Sequence, residues 1–295
     1  MAVEQIIQRM HNISQKTINS KISCNSVGLH SGDNISMTLM PAAANSGVIF
    51  RRVDLEKGKN EIKANFRNVV TTNLGTTISN EFGAKVATIE HLMAAIWGSG
   101  IDNLIVELNN QEIPIMDGSS SPFVFMIECA GINLQEQPRQ VIEITKKIRF
   151  EDGDKFIEAE PCADFAIDLH VDFNHKHVSS QQIDYHSTMN SFKNDISRAR
   201  TFCFQHEIEQ MHKMGLARGG SLKNAIVVGE NGVINEEGLR YQDEFVRHKT
   251  LDFVGDLYLA GHFIKGKFSA SKAGHGINNK FLHHLFSNPD SWRLI

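Results

Sequence analysis

The first part of the chain alternates. Between residues 17 and 54, Ile22, Val27, Ile35, Met37, Leu39, Val48 and Phe50 are spaced by polar neighbours and interrupted at Gly28, Ser31-Gly32 and the Pro41-to-Gly47 stretch. Alternation with period two between turn residues predicts short strands that each bury one face. The pattern then changes. KVATIEHLMAAIWG at 85–98 carries an apolar side at helical spacing, with Thr88 as the expected N-cap and Gly98 as the stop. NLIVEL at 103–108 has the continuous apolar character of a buried strand. Ser121-Pro122 opens a second helix expected to reach about Ala130.

The polar, proline-bearing run QEQPRQ at 135–140 predicts a domain boundary. Beyond it, VIEITKKIRF, KFIEAEP and FAIDLHVDF read as antiparallel strands, 191–195 as a short helix, 207–214 as a helix and AIVVG as a strand. Residues 243–262 form a long amphipathic helix pattern. KFSASKAGHGINNK leaves a strand through a glycine-flanked loop and enters a last helix. Each half therefore holds a run of strands and two helices. This predicts an α+β fold of two domains, residues 12–137 and 138–295, although no residue-level repeat relates them.

Composition narrows the function classes. In a chain of 295 residues, 41% hydrophobic and 22% charged residues suit a packed core and not a disordered chain. A formal net charge of -4, with basic residues scattered, leaves no electrostatic footprint for nucleic acid. Cys24, Cys129, Cys162 and Cys203 form no closely spaced pair, which predicts free thiols in a reducing compartment. Nothing near them activates Cys203 as a nucleophile. The N-terminus lacks an apolar secretion segment, and no run approaches the roughly 18 apolar residues of a membrane span. A cytoplasmic protein without stable membrane insertion is expected, with a monomer as the simplest state.

The candidate chemistry lies in two helices. One carries Glu90-His91; the other carries His248, Lys249, Asp252 and Asp256. Residues four apart share a helix face, so His248 and Asp252 can grip one ion, with Asp256 one turn further along. Imidazole nitrogen and carboxylate oxygen suit Zn²⁺, and His91 completes a three-ligand site if the helices face each other. Taken alone, His-x-x-x-Asp is equally the pattern of an exposed hydrogen-bonded pair. Glu90-His91 is not the HExxH zinc motif either, since Ala95 stands where the second histidine belongs. His275, between Gly274 and Gly276, is either a turn histidine or an imidazole set at a cleft. HVDFNHKH at 170–177 reads as a strand ending in a turn, and His283-His284 as part of a surface helix.

Several longer motifs occur in one order: VGLHSG at 27–32, GVIFRR at 47–52, TIEHLMAA at 88–95, GIDNLIVEL at 100–108, EIPIMDGSSSPF at 112–123, SRARTF at 197–202, LARGGSLKNAIVV at 216–228, DEFVRHKTLDFVGDL at 243–257 and GHGINN at 274–279. Together they resemble the UDP-3-O-acyl-N-acetylglucosamine deacetylase family from about residue 17 to the end. The resemblance implies two domains of similar topology, each a β-sheet with two helices. The helices are sandwiched between the sheets, and the active site lies at the interface. It implies one Zn²⁺ held by His91, His248 and Asp252, with Glu90 as general base and Lys249, Thr201, Asp256 and His275 lining the reacting centre. It also implies that residues 197–221 form an apolar passage for an acyl chain, with Leu74 and Phe202 on its path.

The residues then suggest a division of labour. Glu90 takes a proton from the attacking water, Thr201 and Lys249 stabilise the oxyanion, and His275, kept cationic by Asp256, protonates the leaving amine. Phe202, Phe204, Ile208, Leu216, Leu222 and Val227 supply apolar surface for the chain, with Gly220 and Ser221 expected beside it. Lys249 and Lys272 are candidates for the diphosphate of the UDP-3-O-acyl-N-acetylglucosamine substrate. Three features depart from the family pattern: an N-terminal extension of about a dozen residues beyond the usual start, the loop TTNLGTT at 71–77, and the Ala217-Arg218 pair, whose charge lies near an apolar passage. A zinc amidohydrolase or peptidase with another substrate, or a non-catalytic binding paralogue, would share the same metal residues.

Overall fold

The computed structural model describes residues 14–295 apart from Asn174, His177 and Met189. The N-terminal extension and part of the 170–177 run lie outside the described residues. The fold is α+β. A five-stranded sheet runs in the order Ile22–Val27, Asn34–Pro41, Leu104–Leu108, Val48–Arg52 and Glu61–Lys63. Its pairs are antiparallel except Val48–Arg52 with Leu104–Leu108. In Asn34–Pro41 the period-two expectation holds, with Ile35, Met37 and Leu39 turned into the core.

A seven-stranded sheet takes its strands from residues 141–294. Its axis is the long strand Phe263–Ser271, which pairs antiparallel with Lys155–Glu160 and parallel with both Val141–Ile144 and Phe165–Val171. The sequence reading of an antiparallel set holds for Val141–Ile144 against Trp292–Leu294 and Phe165–Val171 against Gln181–His186, and is corrected where these two strands meet Phe263–Ser271. Alternation fixes which face a strand buries, while parallel or antiparallel pairing depends on a partner a hundred residues away. The polar run at 135–140 is also not simply a linker. Ile132–Pro138 is a strand that pairs with Ser14–Ile18, its residues mostly exposed.

Five helices concern the site: α1 (Glu90–Gly98), α2 (Ser121–Ala130), α3 (Gln205–Lys213), α4 (Glu244–Leu257) and α5 (His275–Phe286). α1 starts later than the sequence suggests. Thr88 is no cap: it sits at φ +57 with its hydroxyl donating to Glu112, and Lys85–Val86 is a short strand. α4 is shorter than the amphipathic pattern. The chain tightens into a single turn at Tyr258–Ala260, and Gly261 at φ +85 turns it into the next strand.

α1 is buried from Glu90 to Trp97, and α4 along nearly its whole length. A helix wrapped on all sides belongs to the middle of a structure. α1 packs on α4 and α2, while α4 packs also on α5 and on the strand Phe165–Val171. Gly255 sets the closeness of the central contact. A Cβ at that position would lie 2.1 Å from the Glu90 carbonyl oxygen and 3.1 Å from the Ala94 nitrogen. Both obstacles are backbone, so the helices would have to separate. Alanine gains about 1 kcal/mol of helix propensity over glycine, and overpacking a tight core costs about 1–3 kcal/mol. We therefore expect Gly255→Ala to lower the urea midpoint with an unchanged denaturant slope. An unshifted midpoint would show that this contact does not constrain the helices.

Candidate metal centre and active site

α1 and α4 bring three side chains to one point. His91 Nε2 lies 3.6 Å and His248 Nε2 3.4 Å from the same oxygen, Asp252 Oδ1. The three ligand atoms all fall within 4.8 Å of one another, and the imidazole centroids are 4.9 Å apart. All three residues are buried. His248 Nδ1 donates to the Ala199 carbonyl at 3.1 Å, which leaves Nε2 as a lone-pair donor toward Asp252. Arg200 anchors that carbonyl. Its guanidinium is buried, and Nε donates to Glu244 in the first turn of α4 at 2.9 Å.

Asp252 Oδ1 is buried and has no hydrogen-bond partner among the described residues. Its other oxygen accepts from Lys249 Nζ at 2.9 Å. An ionised oxygen without water or a donor is costly unless a cation faces it. Burial pushes the His91 imidazolium down to about 3 and also lowers His248. Both rings are thus neutral, the state a metal requires. Burial works to raise Asp252, but the Lys249 ammonium and the His275 imidazolium outweigh it and hold the carboxyl below its usual range. Two neutral nitrogens and a carboxylate whose orphaned oxygen faces them fit a divalent metal.

A second group of side chains borders this cluster. His275 is the first residue of α5, so it starts a helix and does not sit in a loop. Its Nδ1 donates to Asp256 Oδ2 at 2.8 Å, and its Nε2 faces Glu90 Oε1 at 3.9 Å and Asp252 Oδ2 at 4.0 Å. Burial would lower His275, but Asp256 and Glu90 raise it to about 9. Burial pushes Glu90 the other way for a carboxyl, up to about 7, against the opposing His275 charge. Thr76 ties the two groups together: its N–H donates to Glu90 Oε2 at 2.9 Å and its hydroxyl to Asp256 Oδ1 at 2.6 Å. Asn278 donates to Asp256 Oδ2 at 2.8 Å. At neutral pH a carboxyl able to accept a proton therefore stands beside an imidazolium able to give one.

A family model for UDP-3-O-acyl N-acetylglycosamine deacetylases matches residues 15–287. The chain belongs to this family. The family is one of metalloenzymes. The chain is similar to the UDP-3-O-acyl-N-acetylglucosamine deacetylase of Pseudoalteromonas atlantica, at 46% identity over 96% of this chain and 93% of the relative. It is 47% identical to the Nitrosococcus oceani protein of the same name, with the same coverage. It is 46% identical to the Vibrio parahaemolyticus protein, over 95% of this chain and 92% of the relative.

The other residues singled out for this family are spread more widely. Thr201 lies between Ala199, which holds His248, and Phe202, whose ring centroid is 6.1 Å from that of His248. Lys249 Nζ stands 5.9 Å from the Phe202 centroid. Val227 is buried in the strand Ile226–Gly229, and Ile208 is half-buried on α3. Gly220, Ser221 and Leu222 lie on an exposed turn, and Leu74 is 46% exposed. None of these six bonds to the ligand cluster or meets it through a ring. Arg218 is exposed, which keeps its charge out of the apolar interior. Lys272 is paired with Asp154 at 2.5 Å. Burial raises Cys203 to about 11, away from a reactive thiolate.

Sequence reasoning missed Thr76, Asn278 and the Ala199 carbonyl. Asn278 carried a signal, because it follows His275 by three on one helix face. Thr76 and Ala199 act through backbone or loop geometry and carried none. Asp252→Asn keeps the shape of the site and removes its charge. We expect metal affinity at least ~100-fold weaker, since even outer partners of ligands are worth 10–100-fold. Metal per chain after dialysis, measured by mass spectrometry, should fall below a tenth of the parent value. A variant that keeps its full metal complement would move the site elsewhere.

Proposed function

We propose that this protein is a zinc-dependent deacetylase that hydrolyses the N-acetyl amide of UDP-3-O-acyl-N-acetylglucosamine to a free amine and acetate, in the synthesis of lipid A. The observation that carries this reading is the orphaned Asp252 oxygen facing two neutral imidazole nitrogens, in a chain that aligns along nearly its whole length with deacetylases of that name. His91, His248 and Asp252 would hold the zinc through two imidazole nitrogens and a carboxylate oxygen, a donor set that suits it. When bound, the zinc acidifies a water and polarises the acetyl carbonyl.

The chain's own residues do the rest. Glu90 takes the proton of the attacking water. Lys249, held cationic by Asp252 against the effect of burial, stands ready for the negative charge that grows on the carbonyl oxygen. Thr201 is the second donor proposed for that oxygen. His275 gives its Nε2 proton to the leaving nitrogen while Asp256 stabilises its charge. Leu74, Phe202, Ile208, Gly220, Ser221, Leu222 and Val227 follow the acyl chain. Residues 12–137 and 138–295 act as two domains with the site at their junction. We place the enzyme in the cytoplasm as a monomer. No described helix is long and apolar enough to cross a membrane.

The substrate reading is tested by comparing UDP-3-O-acyl-N-acetylglucosamine with UDP-N-acetylglucosamine. The acylated compound should be preferred at least ~100-fold, in line with loss of remote binding energy in a truncated substrate. Equal rates would make the protein a general amidohydrolase.

Protonation sets the pH profile. Glu90 must be ionised, so activity falls as pH drops below about 7; His275 must be protonated, so activity falls as pH rises past about 9. A cation at the ligands favours the carboxylate and disfavours the imidazolium, which moves both limbs to lower pH. Glu90→Gln and His275→Gln should each lower kcat by about 10²–10⁴-fold, the first losing the acidic limb and the second the basic one. A basic limb that survives His275→Gln assigns the proton donor to another group.

A further inference from the structure

His30 lies in the turn between the strands Ile22–Val27 and Asn34–Pro41, and a buried carboxylate fixes that turn from below. Glu112 Oε1 accepts from His30 N at 2.8 Å, while Oε2 accepts from Ser31 N at 2.9 Å and from the Ser31 hydroxyl at 2.7 Å. From this platform the imidazole reaches two separate segments. Its Nε2 is 3.1 Å from the Leu74 carbonyl oxygen, and its Nδ1 is 3.3 Å from the Ala217 backbone nitrogen. A carbonyl only accepts and a backbone N–H only donates. The ring must therefore be neutral, with its proton on Nε2, to make both bonds at once.

Two further observations mark this as a built contact. Leu74 and Ala217 are both non-glycine residues in left-handed conformation, each at φ +56. Such backbone persists only where the surroundings over-determine it. The turn also meets the 217–219 segment backbone to backbone. Arg218 N donates to the His30 carbonyl and Gly219 N to the Leu29 carbonyl, and a Cβ at 219 would lie 2.1 Å from the Gly28 oxygen. From Leu74 the chain passes through Gly75 to Thr76, which holds Glu90 and Asp256.

We propose that His30 is a positioning residue that clasps the two sides of the acyl passage, the Leu74 loop and the Ala217 segment, and so transmits occupancy of the passage to Thr76 and the acid–base pair. This rests on the deacetylase reading above and adds to it the residue that makes hydrolysis depend on the acyl chain. The clasp supplies no proton and touches no reacting atom.

Three variants separate its two ends. His30→Phe keeps a ring and loses both bonds. His30→Asn puts an amide oxygen where Nδ1 sits and keeps the Ala217 side. His30→Gln puts an amide nitrogen where Nε2 sits and keeps the Leu74 side. For each, kcat and KM are measured on UDP-3-O-acyl-N-acetylglucosamine and on UDP-N-acetylglucosamine. In His30→Phe the ratio of the two kcat/KM values should fall about tenfold, the effect of losing two ordinary hydrogen bonds, with intermediate ratios for the amides. An unmoved ratio, or equal proportional losses on both substrates, overturns the proposal. If the parent enzyme hydrolyses neither compound, the deacetylase reading fails by itself. Amide hydrogen exchange then decides the clasp: His30→Phe must speed exchange in both 72–77 and 214–219, and protection retained in either segment overturns it.

Discussion

Asp252 Oδ1 faces His91 Nε2 and His248 Nε2 across less than 4 Å in a buried space, and no donor among the described residues meets it. Such an arrangement is unfavourable without a cation, so the helices that create it must be held by something else. They are held by packing. α1 and α4 approach over a glycine at 255, their remaining faces are covered by apolar side chains, and α4 is pinned at its start by the buried Arg200–Glu244 pair. Packing thus presses together two helices whose facing side chains desolvate one another.

The same pressure separates the working pKa values. Glu90 is buried, His275 is half-buried, and they lie 3.9 Å apart, so either could have been neutralised by the other. They differ in their second partners. His275 has Asp256 directly on its other nitrogen, which keeps its proton, while Glu90 receives only the Thr76 N–H and the start of α1. Thr76 contacts Glu90 and Asp256 together, and a shift of its loop would move the base and the partner of the acid in concert. A loop residue with no titratable group thereby governs the spacing of two that have one.

Much of this was legible in the sequence, but only where one element carries the whole signal. The strands of 17–54 followed from alternation, and α2 from its Ser-Pro start. His248, Asp252 and Asp256 follow from a spacing of four on α4. The convergence of His91 on them did not, because it depends on how two helices 150 residues apart cross; family likeness, not periodicity, supplied it. The two parallel pairings with Phe263–Ser271 were missed for the same reason. Thr88 looked like a cap by residue type, yet Glu112 captures its hydroxyl and helix geometry begins two residues later. Where sequence and structure part, a residue distant in the chain has outcompeted a local preference.

Burial of so many polar groups in α1 and α4 bears on stability as well as chemistry. Glu90, His91, His248, Asp252 and Asp256 occupy positions that apolar side chains would fill at a gain of about 1.5–3 kcal/mol each. A cation that binds only the folded chain returns part of this, because the ligands gather around one point only when the two helices are packed together. Metal affinity and folding are then two views of one equilibrium. A substitution that loosens the helix contact weakens the metal without touching a ligand.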